Sequence, residues 1–180
     1  GMTASLDYLE YLGVTAVWMT PIYPSPAYHG YQHGPADQVN SRFGTRTDFL
    51  NFVSAAHARG IKVFIDYVAY GISHNSIWYQ DSYNRPQSIY DTWLAYTNSA
   101  NTTYLGSVYN TWNGDSVGFI HWNLNNAIVT NLVTGWCLGW LDPDSNGNPA
   151  DVVDGFRLDH VSAYNATESP WGYDIAWWED

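Results

Sequence analysis

Asp66, Arg157 and Asp159 each stand at the end of an apolar run, and their types suit one another chemically. Ligands of α/β folds sit at the carboxyl ends of parallel strands, which makes such positions worth testing. Arg157 and Asp159 are two residues apart, so in a strand both point to one side. A guanidinium beside a carboxylate holds it ionised and aimed. The same spacing also suits a structural ion pair at a sheet end, and the spacing leaves both readings open.

A second constellation is the run from Asp142 to Asp151. It carries oxygen side chains at Asp142, Asp144, Asn146, Asn148 and Asp151 around Gly147. Hard cations such as Ca2+ take six to eight oxygen ligands in a flexible loop, so a structural calcium is expected here. Val153 holds the place of the closing glutamate of an EF-hand, and a solvated turn is the alternative. Aromatic and imidazole side chains gather outside the periodic segments: Tyr23, Tyr28, His29, Tyr31, His33, Trp78, Tyr79, Trp93, Trp112 and Trp122. They either pin loops or form a platform for the apolar faces of sugar rings. The histidines have no zinc-binding spacing, and His57 reads as helix surface.

Elements must position these groups. Apolar spacing predicts a helix over 6–12 and a strand over 14–19. The clearest helix is 46–59, ended by Gly60 and followed by an apolar strand over 61–66. A helix over 125–141 and a strand over 152–158 restore the rhythm, and 175–179 is a weaker helical segment. Continuous apolar strands after amphipathic helices mark a covered parallel sheet, hence an α/β fold. Residues 70–124 break the pattern and read as an insertion or long loop between an N-terminal part, 1–69, and a C-terminal part, 125–180.

Composition narrows the partners. Of the net charge of -11, residues 1–90 carry -1 and residues 91–180 carry -10. No basic stripe follows a phosphate backbone, so nucleic acid is not an expected partner. The uncharged stretch 116–141 is interrupted by asparagines and does not read as a membrane span. The single cysteine, Cys137, lies in an apolar segment and reads as core. Asn101 and Asn165 begin glycosylation sequons.

Ordered motifs then carry a family resemblance. Gly155-Phe-Arg-Leu-Asp159 is similar to the fourth-strand signature of the α-amylase family of glycoside hydrolases. Val14-Thr-Ala-Val-Trp-Met-Thr-Pro-Ile-Tyr23, His29-Gly-Tyr31, Arg42-Phe-Gly-Thr45 and Ala56-His-Ala-Arg-Gly-Ile-Lys-Val63 resemble the family's second-to-third-strand stretch. The likeness covers about residues 5–162. It implies a retaining enzyme acting on α-glucans or maltooligosaccharides. By position, Asp159 resembles the nucleophile, Arg157 its charge partner, Tyr31 the aromatic stacked under the sugar, and Asp66 the carboxylate closing the third strand. Residues 70–122 stand where the family's protruding B domain does.

The chain also departs from the family. Tyr70 and Gly71 replace an Asn that holds calcium and a His that binds sugar, with His74 the nearest substitute. The family acid after His-Gly-Tyr falls on Pro35, with Asp37 two residues on, and His160 follows the nucleophile position. Whole barrels of this kind take about 250 residues, so 180 residues suggest a partial (β/α)8 barrel, about half, with a B-domain-like insertion. The family's general acid lies on the fifth strand; Glu179 or Glu168 would have to supply it. Trp78, His74 and His160 complete the expected sugar-binding set. An inactive carbohydrate-binding remnant is the alternative, and open barrel edges suggest a homo-oligomer.

Overall fold

Thr45 starts the best-defined helix, α1, which spans Arg46–His57. Its hydroxyl accepts from the Asp48 amide at 3.1 Å while the Asp48 carboxylate accepts from the Thr45 amide at 2.8 Å. This reciprocal cap satisfies two of the helix's orphan N–H groups. The helix buries Phe49, Phe52, Val53 and Ala56, and Gly60, at φ +69°, turns the chain into the next strand. These residues belong to a computed structural model that describes residues 1–142 and 152–161.

The N-terminal segment is a 3-10 turn, Met2–Ser5, running into a short α-helix, Leu6–Tyr11. Strands β1 (Ala16–Met19), β2 (Lys62–Tyr67) and β3 (Gly155–Leu158) form a parallel sheet in the order β1-β2-β3. The last strand is shorter than its apolar run predicts. Its entry is held by Asp154, whose carboxylate accepts from the Val63 amide at 2.8 Å and contacts His57 Nε2 at 2.8 Å. His57 is thus not plain helix surface; it ties α1 to the start of β3. Helix α2, Ala127–Leu141, is capped by Asn126, whose side chain accepts from the Ile128 amide at 3.0 Å. It buries Val129, Val133, Trp136 and Trp140.

Residues 70–124 are more regular than expected. They hold an antiparallel sheet of β4 (Gly71–Ser73), β5 (Gly106–Asn110) and β6 (Ser116–His121), ordered β4-β6-β5, with helix α3 (Ile77–Ser82) after β4. The parallel sheet and this smaller one are joined through tryptophans. Trp78 from α3, Trp122 after β6 and Trp136 from α2 meet with ring centroids 5.4–6.3 Å apart. At the other end of α2, Trp140 donates to the Ala36 carbonyl at 2.6 Å, and Arg46 lies over its ring at 4.1 Å. The Asn101 sequon is closed to modification, because its buried amide donates to Ser82 O and Asp91 Oδ1. The tail helix expected at 175–179 and the sequon at Asn165 lie outside the described residues.

Candidate active site

Register brings the charged residues together. β2 and β3 pair with Asp66 opposite Arg157, so both side chains leave the same face of the sheet at its carboxyl end. Arg157 Nη1 lies 3.2 Å from each Asp66 carboxylate oxygen and 2.5 Å from Asp159 Oδ1. Asp159 is fixed just beyond the strand by its own amide, which donates to Tyr67 O at 3.0 Å. One guanidinium therefore bridges two carboxylates of different character. The Asp66 side chain is fully buried, whereas that of Asp159 is 21% exposed and can meet a ligand.

Tyr31 completes the cluster by donating its hydroxyl to Asp66 Oδ2 at 2.9 Å. It reaches there because Gly30, at φ +85°, passes over Pro21; a Cβ would lie 2.4 Å from the Pro21 carbonyl oxygen. Tyr23 donates to the Asp66 carbonyl at 3.0 Å, and buried His33 contacts Val68 O at 2.9 Å, so both pin this loop to the end of β2. Burial pushes Asp66 above the usual carboxylate range, outweighing the hydrogen bonds from Tyr31 and Arg157 that favour its charge. Burial, and then the bond to Asp66, push the Tyr31 phenol up to about 12, so it remains a donor.

Beside these residues lies a group of rings that sequence spacing did not bring together. Tyr70 stacks on His160 at 4.3 Å and meets Phe119 and His121 edge-on at 5.1 Å. His160 adopts a left-handed backbone, φ +57°, at the turn after Asp159. His121 is pushed down to about 4, chiefly by burial and secondly by the charge of His160. No local signal could have joined Tyr70 to His121, because the antiparallel pairing of β4 with β6 brings these neighbours together.

Two of the expected sugar contacts lie among packed rings. Trp78 is 8% exposed and packed edge-on against Trp122 and Trp136, which leaves no open ring face. His74 lies flat on Tyr79, with centroids 4.0 Å apart and planes at 5°, in space left by Gly118 on β6. Burial lowers its pKa to about 4, so it is a neutral packing group. Tyr23, His33, Tyr79 and Trp122 are likewise buried, whereas Tyr28 and Trp112 are exposed. Asp37 is exposed and offers its carbonyl to Arg46, away from the cluster.

The calcium expectation rests on a stretch of sequence of which only Asp142 is described; Asp144, Asn146, Asn148 and Asp151 lie outside the described residues. Among the described residues no group of three or more His, Cys, Asp or Glu could hold a metal. Tyr70 is surrounded by the rings of Phe119, His121 and His160. Glu179 and Glu168 also lie outside the described residues, and among those described the only glutamate is Glu10, beside Arg59. No described helix is long and apolar enough to cross a membrane.

Comparison with known proteins identifies the family. Residues 1–173 match the α-amylase catalytic domain family. The chain is 37% identical over 102 residues to the α-amylase SusG of Bacteroides thetaiotaomicron, a match covering 57% of this chain and 15% of that protein. It is 29% identical over 192 residues to α-amylase 3 of Dictyoglomus thermophilum, covering 100% of this chain and 35% of the relative. The crystal structure of an α-amylase from H. orenii superimposes with a TM-score of 0.74 at 28% identity, over 99% of this chain and 39% of that one. The chain thus spans between 15% and 39% of the length of these proteins. With that match over nearly all its residues, and a parallel sheet that places Asp66, Arg157 and Asp159 at one end, the chain belongs to the α-amylase family.

Proposed function

We propose that the chain supplies the nucleophile-bearing part of a retaining glycoside hydrolase acting on α-glucosidic bonds of starch-like glucans or maltooligosaccharides. The observation that carries this reading is the single guanidinium of Arg157 bridging buried Asp66 and accessible Asp159. In this reading Asp159 attacks the anomeric carbon and forms a glycosyl ester. The bond to the leaving oxygen breaks as that oxygen takes a proton from a carboxylic acid about 5–5.5 Å from the nucleophile, and water then cleaves the ester. Asp66 anchors Arg157, Arg157 aims Asp159 through the bond to its Oδ1, and Tyr31 and His160 face the sugar. The antiparallel module within residues 70–124 stands in the place of the family's B domain.

The same proposal puts a structural calcium on the loop from Asp142 to Asp151, supported by its oxygen-bearing spacing; no step above uses the ion. Replacing Asp159 with Ala tests the main reading. Release of reducing sugar from maltooligosaccharides should fall by at least about 10³-fold, as loss of a covalent nucleophile does in other hydrolases. Unchanged turnover would remove Asp159 from the mechanism.

A second reading, glucan binding without cleavage, is favoured by one observation. Among the described residues the carboxylates joined to Asp159 through Arg157 are limited to Asp66, which is itself buried and bonded. Maltooligosaccharide binding by the wild-type chain without product formation would select this reading.

A further inference from the structure

Trp112 is held out at the tip of the turn between β5 and β6, 81% exposed. The turn that carries it is built. The Thr111 amide donates to Asp115 O at 2.8 Å, the Gly114 amide to Thr111 O at 2.9 Å, and Asn113 Nδ2 to Asp115 Oδ2 at 2.7 Å. Gly114, at φ +88°, lets the chain reverse. A large apolar ring presented on a fixed polar turn points to a binding role more than to packing.

The ring is not isolated. Tyr28, 65% exposed, meets Trp112 edge-on at 6.4 Å. His29 lies 5.1 Å from Tyr28 and 5.8 Å from Tyr31, whose hydroxyl is bonded to Asp66. A series of aromatic and imidazole rings therefore runs from the tip of the antiparallel sheet to the carboxylate cluster on the parallel one. Asn110, Thr111 and Asn113 give the outer end a polar border. Apolar ring faces bordered by amides and hydroxyls match a neutral sugar, which presents C–H faces and equatorial hydroxyls together. A charged ligand would find little there to pair with beyond Asp115.

We propose that Trp112 and Tyr28 form an outlying subsite that stacks a glucose unit remote from the bond at Asp159, and so favours long glucans over short ones. The proposal rests on the glucan-binding reading above. It implies that the β5–β6 turn is a recognition element and Trp112 a specificity-determining residue.

Isothermal titration calorimetry of the wild-type chain, Trp112→Ala and Tyr28→Ala with maltotriose and maltoheptaose tests it. The wild type should bind maltoheptaose more tightly than maltotriose. Trp112→Ala should weaken maltoheptaose about three- to tenfold, the range expected for one aromatic stacking contact, and leave maltotriose unchanged. Trp112→Phe should restore most of the difference, and Tyr28→Ala should show a smaller version of the same pattern. Equal weakening of both sugars, or no change in either, overturns the subsite while leaving the proposed function standing. Failure of the wild type to bind either sugar overturns both.

Discussion

A buried carboxylate such as Asp66 is stable as an anion only while donors face it, and Tyr31 is one of two side chains that do so. Because burial raises its pKa, the folded chain holds the Asp66 proton more tightly than the unfolded chain does. The stability it contributes is complete below the ordinary carboxylate range and declines as pH rises through the raised folded value. Tyr31→Phe removes a bond that favours the ionised form and raises that value further. Urea unfolding should show a loss of about 1–3 kcal/mol at neutral pH, shrinking in acid where Asp66 is neutral. A loss that does not vary with pH would mean that Tyr31 stabilises by packing alone. The charged residues of the site were legible because each closes an apolar run, a pattern that local sequence displays. Trp78 was not: a tryptophan in an aperiodic segment looks the same whether it faces a sugar or, as here, Trp122 and Trp136.

At the scale of elements, α1, α2 and the three parallel strands were legible to within a few residues, since capping and apolar period act locally. The antiparallel sheet was not, because its strands are short and two of its glycines serve contacts across the sheet. Gly71 admits no side chain: a Cβ would lie 2.3 Å from the Phe119 ring and 2.5 Å from Ile120 O. Gly118 is a milder case, because the atom it faces belongs to the His74 ring, 1.8 Å from an added Cβ, and a ring can swing away. Gly118→Ala should therefore leave the sheet paired but drive His74 off Tyr79 and into water. Since burial is what holds His74 at about 4, its imidazole should then titrate near the ordinary 6.5. An NMR pH titration of the His74 ring protons reads this directly, and an unmoved pKa would show that the ring stays buried by other contacts. As a neutral ring in the folded chain it contributes no charge at pH 7, so its displacement should cost stability through lost stacking.

For the molecule as a whole, the parallel sheet decides how the chain meets its neighbours. Among the described strands, β1 and β3 each pair only with β2, so the sheet has two outer edges. Large apolar side chains accompany them: Trp18 on β1 is 54% exposed, Leu158 on β3 41%, and Val161 just beyond it 42%. Unpaired strand edges with apolar neighbours favour association, and the acidity does not oppose it evenly, because residues 1–90 carry a net charge of only -1. The 180-residue chain should therefore self-associate as its concentration rises, and the weight-average mass from analytical ultracentrifugation should climb above that of one copy. Leu158→Lys places a charge on the β3 edge and should return the mass towards the monomer without loss of helical circular dichroism. Salt separates this from charge pairing: association through apolar edges should persist or strengthen at high ionic strength, whereas pairing between charged surfaces should weaken. A monomer at every concentration would overturn this reading.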